Sequence, residues 1–321
     1  MYDPSKPYKE QILKMIQSTW KTPYVTVRQG TYPIIERRIS LPEVDHTDGI
    51  GTKGKHIWKM REFTVAVQDA LAMNLNDLAL CGAKTYKLQN HLMIHEDDHD
   101  AILDIISALS DSCVRRGIAI TGGETSVQGN LEGMDLSLTV SGFITNQKEN
   151  KAEIGDIVIG LRSSGLHANG FTFVNSILGN DIRREYVIPT MIYSHAILDD
   201  YILPQINGMM HITGGAFTKL KGMLDSSASI AFRKDHEIVP HNIFFEIYDR
   251  GKANGVTDEQ MYRTLNCGIG FILTAKPASA QTIINAISEK YGFIARAVGE
   301  VIPGNRNIHI PSKFSDVEVT L

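Results

Sequence analysis

Apolar positions at Ile102, Ile105, Ile106 and Leu109 recur at the i, i+3, i+4, i+7 spacing of one helix face. Asp97 or Asp98 stands where an N-cap is needed, Arg115 and Arg116 suit a helix C-terminus, and Gly117 stops the run. The pattern predicts another helix from Thr64, as N-cap, to just before Gly82, and a short one from Lys9 to Trp20, halted by Lys21-Thr22-Pro23. Residues 280–292 read as a helix ending at Gly292, followed by a strand in IARAVGEV. YVTVRQGTYPIIERRIS, broken by Gly30 and Pro33, reads as irregular strand. Ile118-Ala119-Ile120 predicts a strand running into a tight loop, Thr121-Gly122-Gly123-Glu124, and Leu136, Leu138 and Val140 alternate as a half-buried strand does. IVIGL (157–161) reads as a buried strand. Strands and helices thus mix in both halves, which gives an α/β or α+β fold with two lobes. The polar stretch NQKENKAEIGD (146–156) is the candidate linker, dividing an N-terminal domain (1–148) from a C-terminal one (149–321).

With 32 Lys+Arg against 36 Asp+Glu, a net charge of −4 over 321 residues gives no electrostatic reason to bind nucleic acid or an anionic membrane. No apolar run approaches the roughly 18–20 residues of a bilayer span, and MYDPSKPYKE lacks a secretory apolar region. Cys81, Cys113 and Cys267 are scattered without a CxxC, which excludes a disulfide framework and a thiolate zinc site. A cytoplasmic protein of small-molecule chemistry is expected.

Four glycine-punctuated loops carry the candidate chemistry: the turn containing Gly49, Gly51 and Gly54, then SSGLHANG (163–170), HITGGAF (211–217) and NCGIGFIL (266–273), which leads into a strand. The first can be written as GxGxxG or as GxxxxGK, but His56 stands where a phosphate loop has Ser or Thr, and no helix is expected directly after it. Its glycines would let backbone amides approach an anion, with Lys53 and Lys55 supplying charge. Asp48 would repel a bare phosphate, which favours a Mg²⁺–polyphosphate site; the plainer alternative is a solvated turn. Asp77 interrupts an apolar helix and belongs on its wet face unless a cation or donor meets it inside. His91, His95 and His99, spaced by four, could bind metal on one helix, but His91 and His95 precede the Asp-rich cap and read as strand or loop, so scattered surface histidines are expected. Ser163-Ser164 near His167 lacks the GxSxG of a nucleophile elbow, so His167 is a substrate contact or proton carrier.

The blocks TDGIGTK (47–53), NDLALCGA (76–83), GGET (122–125), GDIVIGLRSSGLHANGF (155–171), HITGGAF (211–217), MYRTLNCGIG (261–270) and VGEV (298–301) together resemble the phosphoribosylformylglycinamidine cyclo-ligase family, also called aminoimidazole ribonucleotide synthetases. The resemblance implies a two-lobed α/β fold whose N-terminal lobe gives strands to a barrel shared across a homodimer. It implies ATP and Mg²⁺, and ring closure after phosphorylation of a formyl amide oxygen. Carried onto this chain, it makes Asp48 and Asp77 metal carboxylates, with Lys53, Asp48 and His167 catalytic. Thr47, Gly49, Gly51, Thr52, Lys53, Asp77, Gly122, Gly123, Glu124 and Thr125 become ATP or phosphate contacts. Ser164, Gly165, His167, Asn169, Thr213, Gly214, Gly215 and Asn266 become substrate contacts.

Three departures qualify it. The family's glycine-rich amino-terminal loop is here RQGTYPIIERR, and Asn90 and Thr139 stand where the family carries acids; Asp135 could compensate only under a different register. The alternatives are a paralogue using ATP on another small amide or phosphorylated substrate, or a non-catalytic nucleotide-binding homologue.

Overall fold

The computed structural model describes residues 8–179 and 183–321. The chain forms two units, Met1–Asn146 with Ile182–Ile192, and Gln147–Asp181 with Tyr193–Leu321. A single division at 148/149 does not anticipate that the segment after 181 returns to the first unit.

In the first unit, helix α1 (Lys9–Ser18) precedes a two-stranded hairpin, β1 (Val25–Arg28) and β2 (Ile34–Arg37). There follow β3 (Glu43–Gly49), α2 (Gly54–Met60), α3 (Phe63–Ala79), β4 (Ala83–Ile94), α4 (His99–Arg116), β5 (Ala119–Val127) and β6 (Met134–Ile144). The sheet order is β3-β6-β4-β5, antiparallel except for β4 with β5, which α4 connects. Leu88, Leu92, Leu136, Leu138 and Val140 join Ile102, Ile105, Ile106, Leu109 and the apolar side of α3 in one buried cluster. On the opposite sheet face Thr47, Gln89 and Thr139 are exposed, while Val25 of the hairpin packs with Tyr86, Ala119 and Phe143 over one end.

Helix α4 forms as its pattern predicts: Asp98 Oδ1 accepts the Ala101 amide at 2.9 Å, and Gly117 turns out at φ +66°. Three expectations change. The turn at Gly54 runs straight into α2, which left-handed Arg61 (φ 59°) separates from α3. Helix α3 begins at Phe63, so Thr64 lies inside it rather than capping it. The stretch Thr121–Glu124 is no loop but the middle of β5, where pairing with β4 satisfies its backbone.

The second unit contains β7 (Ile157–Arg162), α5 (Phe171–Leu178), α6 (Ser194–Ile197), β8 (Gly208–His211), β9 (Ala228–Phe232), α7 (Asn242–Lys252), α8 (Asp258–Thr264), β10 (Ile269–Ala275), α9 (Pro277–Tyr291), β11 (Ala295–Pro303), β12 (Ile308–Pro311) and β13 (Glu318–Thr320). Its seven-stranded sheet runs β13-β12-β9-β11-β7-β10-β8. The expected linker is pinned to this unit, since the Lys151 amide donates to Asn207 O (3.1 Å) and the Ala152 amide to Met223 O (2.8 Å). Among the described residues, no helix is long and apolar enough to cross a membrane.

At the start of α2, a Cβ on Gly54 would overlap the Met134 carbonyl of β6. Gly54→Ala should therefore destabilise the first unit by about 1–3 kcal/mol, the cost of overpacking against backbone. A lowered urea midpoint would register it, and an unchanged one would show that β6 yields without cost.

Candidate active site

In the first unit, strand register assembles residues that the sequence separates. Asp48 lies opposite Leu138, Leu138 opposite Asn90, and Asn90 opposite Gly123; in the next row stand Thr47, Thr139, Gln89 and Gly122. Blocks 47–49 and 122–125 therefore occupy one sheet, at its two edge strands.

The glycine turn is already supplied with anions. The Gly49 amide donates to Asp48 Oδ1 (2.7 Å) and the Gly51 amide to Asp135 Oδ1 (3.1 Å). Asp135 thus reaches the turn from β6, opposite Met93 and away from the Thr139 row, so the sequence alignment of the lost acid does not locate it. Asp48 and Asp77 share the seam between β3 and α3. Asn74 Nδ2 donates to Asp48 O (3.0 Å), Asn74 Oδ1 meets His46 Nδ1 (3.0 Å), and His46 Nε2 faces Asp77 Oδ2 (3.5 Å). Gly51 and Thr52 are exposed, and the Thr47 hydroxyl donates to that of Thr139 (3.0 Å). Glu124 Oε1 accepts the Thr125 amide (2.9 Å), and Asn90 fills the space beside Gly123.

Lys53 is placed differently from its sequence assignment. Its side chain and that of Asp69 are both 0% exposed, with Nζ 2.8 Å from Asp69 Oδ2 and donating to Ile188 O at 2.7 Å. Burial pulls this ammonium below the usual lysine range, and the Asp69 charge opposes that shift. A lysine between glycines reads as solvent-facing; the missed signal was Asp69, an acid inside the apolar run VAVQDALAM.

The three histidines do not gather on one helix. His91 lies on β4 beside Ser126 Oγ (2.9 Å), His95 bonds Gly133 O (3.2 Å), and His99 begins α4. Among the described residues, no group of three or more His, Cys, Asp or Glu side chains is arranged to hold a metal ion. A hard cation at the turn would need phosphate or water oxygens to complete its shell.

In the second unit, Asn266 organises the 163–170 loop. Its Nδ2 donates to Gly165 O (2.9 Å) and Leu166 O (3.1 Å), and its Oδ1 accepts from Ser163 Oγ and the Gly268 amide, both at 2.9 Å. The residue is buried, so it shapes the loop from beneath. His167, at φ 63° and 1% exposed, accepts the Ser164 amide on Nε2 (3.2 Å). Beneath it, Gly270 has no room for a Cβ, which would lie 2.6 Å from His167 Cε1 and against the Tyr193 hydroxyl. Tyr193 is held by its bond to Arg162 O (2.8 Å).

The accessible rim consists of partly exposed Ser164 and Asn169 with exposed Gly214 and Gly215. A Cβ on Gly214 would lie 3.6 Å from Asn169 Oδ1, so the second and third loops adjoin. Lys219, absent from the sequence reading, donates to Thr213 Oγ1 (2.7 Å) and adds a cation beside the paired glycines. Such a rim suits a phosphorylated or amide-bearing ligand.

A two-unit α/β protein with glycine turns on both units is the class so defined. The sequence matches the models "AIR synthase related protein, N-terminal domain" over residues 41–144 and "AIR synthase related protein, C-terminal domain" over 153–310. It is 32% identical over 307 residues to the phosphoribosylformylglycinamidine cyclo-ligase of Saccharolobus solfataricus, covering 93% of this chain and 90% of that protein. The cyclo-ligase of Methanococcus vannielii is 34% identical over 291 residues, covering 84% and 79%. The chain belongs to the AIR synthase related family. Its fold resembles that of hydrogenase maturation protein HypE solved in complex with ATP (TM-score 0.64, 15% identity, 99% and 95% coverage). It also resembles thiamine-monophosphate kinase from Stenotrophomonas maltophilia (TM-score 0.62, 15% identity, 94% and 96% coverage).

Asn266→Asp keeps the shape of the side chain and removes its donor, leaving the Gly165 and Leu166 carbonyls against a carboxylate. We expect a loss of about 2–4 kcal/mol, measured as denaturant stability of the second unit. Wild-type stability would mean the loop is held by other means.

Proposed function

We propose that the protein catalyses ATP-dependent closure of formylglycinamidine ribonucleotide to aminoimidazole ribonucleotide, a step of purine synthesis. The observation that carries this reading is the 32% identity to a cyclo-ligase over 93% of the chain. It gains support from the joining of the 163–170, 211–217 and 266–270 segments into one loop assembly. In this reaction the γ-phosphoryl group passes to the formyl amide oxygen and ADP leaves. The amidine-side nitrogen then bonds the formyl carbon as the C–O bond breaks and phosphate departs. Phosphorylation matters because an amide oxygen is a poor leaving group and phosphate a good one.

Within this reading, the first unit provides the nucleotide contacts. The exposed residues Thr47, Gly51 and Thr52, with 122–125 on the far edge strand, meet phosphate or nucleotide. Asp48 and Asp77 would hold Mg²⁺, an assignment consistent with hard oxygen donors along one seam. When bound, Mg²⁺ supplies charge neutralisation at the transferring phosphoryl group. The second unit provides the acceptor contacts: Ser164 and Asn169, with Thr213, Gly214, Gly215 and Lys219 for a phosphate. His167 orients the loop and is the proposed proton carrier, while Asn266 and Gly165 maintain its shape. The exposed sheet face bearing Thr47, Gln89 and Thr139 is proposed as the homodimer surface, closed into a barrel by a second copy. Cytoplasmic placement follows from the same reading.

A second reading, another ATP-dependent reaction on a small amide or phosphorylated substrate, is favoured by Asn90 and Thr139. Neither side chain is a carboxylate; Asn90 packs against Gly123 and Thr139 pairs with Thr47. Incubation with formylglycinamidine ribonucleotide, ATP and Mg²⁺ should yield the aminoimidazole product. ATP turnover only with a different metabolite would favour the paralogue, and absence of Mg²⁺-dependent ATP binding by calorimetry would remove both enzymatic readings.

Asp48→Asn retains the acceptor for the Gly49 amide and deletes a charge. Turnover should fall by about 100-fold or more with the circular dichroism spectrum unchanged; wild-type rates would show that Asp48 bears no part of the reaction.

A further inference from the structure

We infer that His46 is a further metal ligand at the Asp77 end of the seam, and that it gives this position a preference for a first-row transition cation over Mg²⁺. Three side chains of the first unit meet there: His46 on β3, with Asn74 and Asp77 on α3. Asn74 is 0% exposed, and its Nδ2 donates to two carbonyls, Asp48 O at 3.0 Å and Ala70 O at 2.8 Å. These two acceptors fix the orientation of the carboxamide, so Oδ1 is the atom that meets His46 Nδ1 at 3.0 Å. A carboxamide oxygen only accepts, so Nδ1 carries the ring proton. In the neutral imidazole Nε2 is then a bare acceptor, and it faces Asp77 Oδ2.

Two acceptors facing one another repel unless a proton or a cation lies between them, and their separation distinguishes the two cases. A charge-assisted N–H···O bond draws its atoms to about 2.7–2.9 Å, whereas Nε2 and Oδ2 stand 3.5 Å apart. Bonds of about 2.1 Å from one ion to each atom would span the same 3.5 Å at an angle of about 110°, close to tetrahedral. The arrangement is also that of metal-binding histidines, in which one ring nitrogen donates to a fixed oxygen and leaves the other for the ion. Imidazole suits Zn²⁺ and its transition-metal neighbours, whereas Mg²⁺ takes oxygen ligands. The His46 and Asp77 side chains keep 29% and 13% exposure, so an ion can enter and complete its shell with water or phosphate oxygens. The ion's part in turnover rests on the function proposed above; its coordination does not.

Co²⁺ is the probe of choice, because its visible absorption reports nitrogen ligation and coordination number. It is titrated into the whole chain without nucleotide or substrate, with Mg²⁺ as competitor. The wild type should bind Co²⁺ at least about tenfold more tightly than Mg²⁺. His46→Gln keeps a donor for Asn74 Oδ1 and removes the ring nitrogen. It should weaken Co²⁺ at least about tenfold and leave Mg²⁺ within about twofold of the wild type. Asp77→Asn should weaken both ions, and it decides the matter if His46→Gln does not fold: Co²⁺ held at wild-type affinity there would overturn the inference. Equal affinity of the wild type for the two ions would overturn it as well. So would a Co²⁺ spectrum and affinity unaltered by His46→Gln, which would leave His46 and Asp77 as an imidazolium–carboxylate pair. Co²⁺ binding that depends on His46, without any aminoimidazole product in turnover assays, would sink the proposed function and leave the metal ligand standing.

Discussion

The burial of one face of a four-stranded sheet constrains everything in the first unit. Leu136, Leu138 and Val140 must all lie under α3 and α4, so β6 has only one admissible parity. A slip of one residue would drive these side chains into water and bring Ser137 and Thr139 into the core. Because β6 is paired on both sides, its parity also fixes β3 and β4. That is why the His46 side chain, on the same face as Leu138 and Val140, meets Asn74 of α3, while Thr47 turns outward to Thr139. Side chains with no apolar character of their own are thus located by the leucines beside them.

The two units stabilise their glycine turns with different chemistry. In the first, carboxylates take the turn amides, and the charge is tolerable because Asp48 is only half-buried. In the second, a neutral amide does the equivalent work in the core: Asn266 has donors and acceptors both satisfied, so its burial leaves no polar group unmatched. A carboxylate there could not have bonded two carbonyls, and an ammonium could not have accepted from Ser163 and Gly268. Among natural side chains of this size, only a carboxamide offers both. The consequence is a rigid underside, with Asn169 and the paired glycines left at the surface.

Local signals in the sequence located what local forces determine. Helix α4 followed from its periodicity, its Asp98 cap and its closing glycine. Thr121–Glu124 misled because two adjacent glycines usually mark a turn, whereas here long-range pairing with β4 holds them extended. Helix α2 was hidden for a similar reason: Gly54 reads as a breaker, yet it is required by the close approach of the Met134 carbonyl. The return of the segment after 181 to the first unit had no local signature, since it depends on contacts with residues far away in sequence. The assembled blocks identified the family, but could not show that Lys53 points inward or that Asn266 lies beneath its loop.

Electrostatics at the first glycine turn bears on which ligand the proposed reaction can use there. An empty turn of backbone amides attracts anions, but two of these amides already face carboxylate oxygens. Lys53, the nearest lysine in sequence, directs its charge to Asp69. Lys55 is paired with Glu132. A phosphate approaching the turn would therefore encounter Asp48 and Asp135, with Lys53 and Lys55 both committed to other acids. Polyphosphate accompanied by a divalent cation reverses the sign of that encounter, because the cation can accept carboxylate and phosphate oxygens together. The same reasoning gives Asp135 a place in the proposed chemistry that Asn90 and Thr139 do not fill: it brings negative charge to the turn from the central strand, beside Asp48 rather than across the sheet.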